Sequence, residues 1–304
     1  MSRDESDFRP ALSIVGTPTK RASLLELAVE AERLGFSGIA CPSLGAAVGM
    51  CMSLAHVTTK IAFWTSIQPI YYSHPVESAN TAAHLHEISG GRFAFGIGVS
   101  HGPVTKRLGV QTGMPLRDIE EYVTAMRAHE RFSGALPPIL LATLRDKMLG
   151  LATKIADGAI WANASLRDIE RQVRIAHDAR PEGFRLSNMI PTVISDDIDA
   201  ARAINRKTMV GYVSLPNYRN YWRQAGFDAE MDRIEAALSS KDDAQIRSAM
   251  SDEWLDDCTI SGDAARVRER LFAWHTRGVQ PIAVMSSTSG GQAVAIKELF
   301  SAYA

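Results

Sequence analysis

Short apolar runs alternate with longer, helix-patterned stretches along almost the whole chain. The runs fall at 12–16 (LSIVG), 38–41 (GIAC), 61–67 (IAFWTSI), 93–98 (FAFGIG), 138–142 (PILLA), 158–162 (GAIWA), 189–194 (MIPTVI) and 281–285 (PIAVM). They show little polar alternation, the pattern of strands buried on both faces of a parallel sheet. Helical periodicity fills the gaps. Leu24, Leu27, Ala28, Ala31 and Leu34 share one face, with Gly35 as a stop, and Ser23 and Glu26 have capping-box spacing in front. Pro75 opens a second helix at its first turn, with His74 as its cap, and Gly90 and Gly91 end it. Residues 115–132, 145–156, 166–179, 196–210, 262–277 and 291–303 also read as helices. Eight strands alternating with helices predict an α/β chain, and the number eight predicts a closed (β/α)8 TIM barrel.

The expected domain spans 1–304. Residues 195–280 form a helical insertion between strands seven and eight, packed at the C-terminal face of the barrel. A chain of 304 residues suits one such barrel and needs no disulfide or metal to hold its core. Lys and Arg total 33 against 34 Asp and Glu, with no basic stripe, so the expected partner is a small molecule and not nucleic acid. Cys41, Cys51 and Cys258 form no CxxC pair and histidines are not grouped at zinc spacing, which predicts reduced, buried thiols and no metal site. The polar opening MSRDESDFRP is not a secretory signal, and a cytoplasmic location is expected. Between Arg33 and Glu77 the only Asp, Glu, Lys or Arg is Lys60, yet Gly, Pro, Ser and Thr interrupt the stretch. It reads as two buried strands joined by neutral loops, and no membrane span is expected.

Barrel chemistry sits at the C-terminal ends of the strands. After the fourth run comes GIGVSHGPV (96–104), where Gly96, Gly98 and Gly102 permit close backbone approach and Ser100 and His101 offer polar groups. The spacing is not that of the GxGxxG dinucleotide fingerprint. His101 is the leading candidate acid or base, since an ordinary imidazole titrates near pH 6.5. A loop histidine bonded only to backbone or water fits the same position. After the third run, Ser66, Ile67 and Gln68 reach the barrel mouth; Tyr71 and Tyr72 follow and either stack on a ligand ring or roof the core. The scarcity of charge from 34 to 76 fits a pocket for a flat neutral ring, and fits plain barrel core equally well.

The run HPVESANTAAHLHEISGGRFAFGIG (74–98) resembles a signature of the luciferase-like flavin oxidoreductases, through His74, Pro75, Ser89, Gly90, Gly91, Arg92, Phe93, Gly96 and Gly98. EAERLGFSGI (30–39), PPILLATLRDKMLGLATKIADGAI (137–160) and SGDAARVRERLFAWHTRGVQPIAV (261–284) resemble further blocks of that family. VSHGPVTKRLGV followed by PLRDIEEYVTAMR is most similar to the branch using the deazaflavin coenzyme F420. The resemblance implies a cofactor ring at the barrel mouth, held by Gly16, Ser66, Ile67, Gln68, Gly98, Val99, Ser100, Gly102 and Thr143. It also implies a non-proline cis peptide at Ser66–Ile67 and a homodimer. His101 stands where sugar-phosphate dehydrogenases of this branch carry a glutamate acid/base.

One departure matters. Those dehydrogenases carry a Trp and an Asp-His pair at the end of strand two, where this chain has Ala40, Ser43 and Leu44. The sugar-phosphate activity is therefore not expected. The expected reaction is hydride transfer between F420 and a small organic substrate, with His101 moving the proton. An FMN-dependent monooxygenase served by a flavin reductase is the alternative, followed by a flavin-binding protein without turnover. An unrelated barrel lyase or isomerase would need a catalytic Lys or clustered carboxylates after the strands, and none is apparent.

Overall fold

A computed structural model describes residues 5–180 and 182–304. The first four residues of the polar opening stretch lie outside them. The strands are β1 (Ala11–Ser13), β2 (Gly38–Cys41), β3 (Phe63–Thr65), β4 (Gln68–Pro69), β5 (Phe93–Gly98), β6 (Ile139–Ala142), β7 (Gly158–Ala162), β8 (Arg185–Ile194), β9 (Ile260–Gly262) and β10 (Gln280–Ser286). The chain has the α/β TIM-barrel-like fold, a parallel barrel with surrounding helices. All eight expected strands are present. Two short strands, β4 and β9, were not expected; at two and three residues they are too short to show as apolar runs.

The residues form two compact units. The first comprises Ala11–Trp161 with Arg174–Ser187. Here β1, β2, β3, β5, β6 and β7 follow one another in parallel. Register fixes the faces. Phe63 pairs with Phe93, and their rings lie 5.8 Å apart. The Arg92 guanidinium sits 5.1 Å over Phe63 while bonding the carbonyls of Ala55 and Thr58 at a helix end. Phe63 therefore marks the helix-covered face. The opposite face, which a barrel turns inward, carries Ser13, Gly38, Ala40, Trp64, Ala94, Gly96, Leu140, Ala142 and Ile160. Small residues dominate it.

The second unit comprises Ala162–Val173 and Asn188–Ala304 with the N-terminal residues up to Pro10. Its segment 195–280 is mainly helical, and β9 pairs with the end of β8 through Thr192↔Ile260. Asn205 anchors that strand by donating to the Ile260 carbonyl (3.0 Å) and the Ser261 hydroxyl (2.9 Å). Trp222 and Trp254 cross edge to face at 4.9 Å, both fully buried, so this helical segment has an aromatic core.

Other boundaries differ from the sequence reading for identifiable reasons. The first helix begins at Arg21, and Ser23 inside it donates to the Lys20 carbonyl instead of capping. Residues 47–57, read as neutral loop, form a helix that buries Ala47, Met50, Cys51, Leu54 and Ala55. Its lack of charge hid the amphipathic pattern. Residues Gly102–Arg107 add a further short helix. His74 caps Pro75–Ile88, its Nδ1 accepting from the Val76 amide at 3.3 Å. The three cysteines are free and buried. Among the described residues no helix is long and apolar enough to cross a membrane.

The Ser-Gly-Gly-Arg signature is structural. Gly90 (φ 63°) and Gly91 (φ 81°) take the left-handed conformation that favours glycine. Arg92 then donates to the carbonyls of Ser89 (2.8 Å), Ala55 (3.0 Å), Thr58 (3.1 Å) and Ile61 (3.2 Å) and to the Thr58 hydroxyl (2.8 Å). Glu32 does similar work with opposite charge, accepting the amides of Thr59, Lys60 and Ile61 at 2.6–3.1 Å. Burial acts against the charged form of Glu32, but these amide bonds outweigh it and hold the carboxyl below its ordinary value.

Arg92→Ala should lose on the order of 3 kcal/mol in urea unfolding, because several carbonyls lose their donor together. Glu32→Gln should lose about 1 kcal/mol, and its stability should become less sensitive to acid. The sign follows from the depressed carboxyl: the wild-type contribution is present above the ordinary carboxylate range and fades as pH falls through the folded-state value. An unchanged midpoint for Arg92→Ala would refute the structural assignment.

Candidate active site

Every sequence-nominated site residue lies in the first unit. Most gather around one crossing of backbone. Strand β3 pairs with β5 through Trp64↔Ala94, and β4 resumes the pairing through Gln68↔Ile97. Four steps along one strand thus match three along the other, so one extra residue bulges out between Thr65 and Gln68. The Ser66–Ile67 peptide within this bulge is cis.

Two glycines on β5 make room for the bulge. A Cβ at Gly96 would fall 1.9 Å from the Thr65 carbonyl oxygen. Thr65 Oγ1 in turn donates to the Gly96 carbonyl at 2.7 Å. A Cβ at Gly98 would lie 2.7 Å from Ala142 Cβ and 3.2 Å from Ile67 Cδ1. The ends of β5 and β6 and the side chain of Ile67 therefore meet at Gly98.

Beyond Gly98 the chain turns through Val99 and Ser100, whose φ of 63° is unusual for a residue with a side chain. It then enters the helix Gly102–Arg107 with His101 at its N-cap, whose carbonyl accepts the amides of Val104 (2.9 Å) and Thr105 (3.1 Å). Burial alone pushes the His101 imidazole below its ordinary 6.5, so the ring is neutral at pH 7 and able to take up a proton. Thr143, just past β6, is buried, and its Oγ1 has no hydrogen-bond partner. A buried hydroxyl left open in this way calls for a partner.

Two nominated residues stand apart. A Cβ at Gly16 would lie 2.4 Å from the Gly45 oxygen and 2.6 Å from Met50 Cγ, so packing accounts for that glycine. Gly102 has open space where a Cβ would be. Tyr71, which sequence reasoning left between stacking and roofing, donates to Asp118 Oδ2 at 2.5 Å, and the same oxygen accepts the Gly113 amide at 2.8 Å. Burial, then the Asp118 bond, push the Tyr71 phenol well above its ordinary value. It is a strut between the bulge segment and the 108–114 loop. The sequence reading had no role for Asp118; its place in the first turn of a helix gave no signal of it. Among the described residues no group of three or more His, Cys, Asp or Glu side chains is arranged to hold a metal ion.

Comparison with known proteins bears on this arrangement. Residues 8–281 match the family described as luciferase-like monooxygenase. A putative coenzyme F420-dependent oxidoreductase of Mycobacterium tuberculosis is 24% identical over 290 residues, covering 80% of this chain and 82% of that protein. A 5,10-methylenetetrahydromethanopterin reductase of Archaeoglobus fulgidus is 24% identical over 262 residues, covering 77% and 79%. Among solved structures, the coenzyme F420-dependent tetrahydromethanopterin reductase from Methanopyrus kandleri superposes with a TM-score of 0.71 at 15% identity, covering 96% of this chain and 98% of that one. At that identity the likeness shows the fold.

Substitutions at the three glycines should separate packing from openness. Gly98→Ala should cost about 1–3 kcal/mol, since Ala142 Cβ is fixed to backbone. Gly96→Ala should cost more, because a carbonyl oxygen occupies the space. Gly102→Ala should stay within about 0.5 kcal/mol of wild type. Thermal melts of the three variants read this ranking directly; equal loss at Gly102 and Gly98 would contradict the geometry.

Proposed function

The chain belongs to the luciferase-like monooxygenase family, and we propose that it is an oxidoreductase that exchanges a hydride between coenzyme F420 and a small organic molecule. The observation that carries this reading is the bulge at Ser66–Ile67 laid over the bare backbone of Gly98. It leaves a neutral, largely apolar shelf at the strand ends, and such a shelf suits a flat ring. The residues present fit the cofactor: Thr143 holds an unpartnered hydroxyl, and Gln68, Ile67, Val99 and Ser100 are partly accessible around it. When bound, the deazaflavin supplies a ring carbon that gives or receives the hydride.

The protein's own work is orientation and proton movement. Gly98 keeps side chains off the shelf, Ile67 covers it, and Thr143 offers one directed hydrogen bond. His101, neutral at pH 7, takes the proton from a substrate hydroxyl during oxidation, and its conjugate acid returns one in reduction. Gly16 and Gly102 have lesser parts, Gly16 by shaping the neighbouring loop and Gly102 by keeping the approach open. We further infer a single functional barrel that works as a homodimer in the cytoplasm; the three free, buried thiols support the reducing compartment.

FMN is the alternative ligand, favoured by the monooxygenase members from which the family takes its name. It would require a reductase partner. Titration of the purified protein with F420 and with FMN, followed by the fluorescence of each, decides between them. Saturable binding of F420 alone is expected. Preference for FMN would move the assignment to oxygen chemistry, and binding of neither at micromolar concentration would overturn the cofactor assignment.

With F420 bound, His101→Gln should lower kcat about 10²–10⁴-fold while leaving cofactor affinity within about twofold. The wild-type rate of substrate oxidation should fall in acid, with a midpoint below the ordinary imidazole value, because the base is then protonated. The variant should lose that acid limb. A variant with an unchanged pH profile would remove His101 from the proton path.

A further inference from the structure

Two arms of the candidate site are joined at one carboxylate. The first arm is the bulge, which continues through β4 into the turn Ile70–Tyr72, where Ile70 is buried. The second arm carries His101. It leaves Gly98, passes His101 at the N-cap of the helix Gly102–Arg107 and runs on through residues 108–114 to the helix Pro115–Ser133. Asp118 stands in the first turn of that last helix. Its Oδ2 accepts the Tyr71 hydroxyl of the first arm at 2.5 Å and the Gly113 amide of the second at 2.8 Å.

The second arm has little packing to hold it. Every residue from Leu108 to Met114 is exposed or half-buried, with Leu108 44% and Met114 71% exposed. A segment with so few buried apolar contacts opens readily unless it is tied. At its near end Thr105, which is buried, donates its amide to the His101 carbonyl at 3.1 Å and accepts the Val110 amide at 3.2 Å. At its far end the tie is Asp118. A Cβ at Gly113 would lie 2.5 Å from Asp118 Oδ1, so the carboxylate rests against bare backbone there. Tyr122 secures the bulge arm from the same helix. Its hydroxyl donates to the Ser73 carbonyl at 3.1 Å and lies 2.6 Å from the Ser78 hydroxyl. Asp118 and Tyr122 are four residues apart and share a helix face, so one face grips both arms.

We propose that Tyr71 and Asp118 are positioning residues for the proton transfer assigned to His101: together they hold the His101 arm to the bulge, so that the imidazole keeps a fixed place beside the cofactor shelf. The inference rests on the role given to His101 above and deepens it. A phenol donating to a carboxylate makes a charge-assisted bond, about twice as strong as a neutral one. Tyr71 and Asp118 act only through where His101 stands. Without the tie, residues 108–114 open into solvent and the arm that carries His101 loosens with them. Burial is what holds the imidazole below its ordinary value, so a loosened arm lets it return toward that value.

The test reads the ring carbon–proton resonance of His101 in the intact protein, assigned by its absence in His101→Gln. Its titration midpoint should rise toward the ordinary imidazole value in Tyr71→Phe, and further in Asp118→Ala, which removes both bonds. Asp118→Asn keeps an oxygen able to accept both donors and should fall between wild type and Asp118→Ala. Exchange of the Gly113 amide should quicken about tenfold in Asp118→Ala. Tyr71→Phe removes one hydroxyl and keeps the question open to measurement if Asp118→Ala fails to fold. Arg92→Ala, which costs stability elsewhere, should leave the midpoint in place. A midpoint unmoved in Tyr71→Phe overturns the positioning role, and so does an equal rise in Arg92→Ala, since the effect would then be one of general stability. F420 affinity, followed by fluorescence, is a separate reading. Failure of F420 to bind with the His101 shift intact would sink the cofactor assignment and leave the tie standing; normal F420 binding with an unmoved midpoint would sink the tie alone.

Discussion

The candidate site depends on one close approach of backbone to backbone. Strands β3 and β5 must stay paired on both sides of an extra residue, and the surplus has to go somewhere. Gly96 gives the Thr65 carbonyl its place, and Gly98 gives Ile67 its place. The Thr65 hydroxyl closes the arrangement by bonding the Gly96 carbonyl. A Cβ at Gly96 would collide with the Thr65 carbonyl and force β3 from β5, whereas one at Gly98 would press on Ala142 of β6 and on the Ile67 side chain. The bulge is thus held at Thr65 and at Ile67, and a bulge so held re-aims the backbone beyond it. That re-aiming presents Ser66, Ile67 and Gln68 to the strand ends, where barrel chemistry takes place.

Charge is distributed along the strands with the same economy. Arg92 and Glu32 bind the segments that lead into β5 and β3, Arg92 through the carbonyls of Ser89, Ala55, Thr58 and Ile61 and Glu32 through the amides of Thr59, Lys60 and Ile61, and so fix the starts of those strands. At the opposite ends of the same strands the sequence is neutral. A formal charge near a flat, uncharged ring would have to be desolvated without compensation, which is costly in a protected site. Strong ionic anchors at one end let the other end do without them. The burial of His101 belongs to the same pattern, since desolvation pushes its imidazole below the ordinary value and favours the neutral form.

Much of this was legible in the sequence, and the exceptions have physical causes. The eight long strands showed because parallel strands buried on both faces leave uninterrupted apolar runs. Ser66–Ile67 and the Gly96–Gly98 segment stood out by their place after the third and fourth apolar runs, and the structure brings them together. The helix at 47–57 stayed hidden because its exposed side carries no charge to contrast with its buried side. β9 was missed because three residues hold no periodicity. Gly16 and Gly98 looked alike as letters, yet one is explained by Met50 and Gly45 and the other by the bulge; only coordinates separate them. The Tyr71–Asp118 strut joins residues 47 apart, and nothing local in either segment announces it.

The departure at strand two acquires a meaning once the registers are known. Loss of a large polar residue from the middle of a barrel face would ordinarily leave an apolar gap to be filled from its neighbours. Here the neighbours on both sides of Ala40 are polar and buried, Ser13 on β1 and Trp64 on β3. An apolar filling would have satisfied packing without stranding two hydrogen-bonding groups. The chemistry changes with that departure. A charged pair on strand two can bind an anion or act as a base, whereas an indole and a serine bring hydrogen-bonding groups without a charge. Under the proposed function, proton transfer rests on a different strand, on His101 just beyond the end of β5.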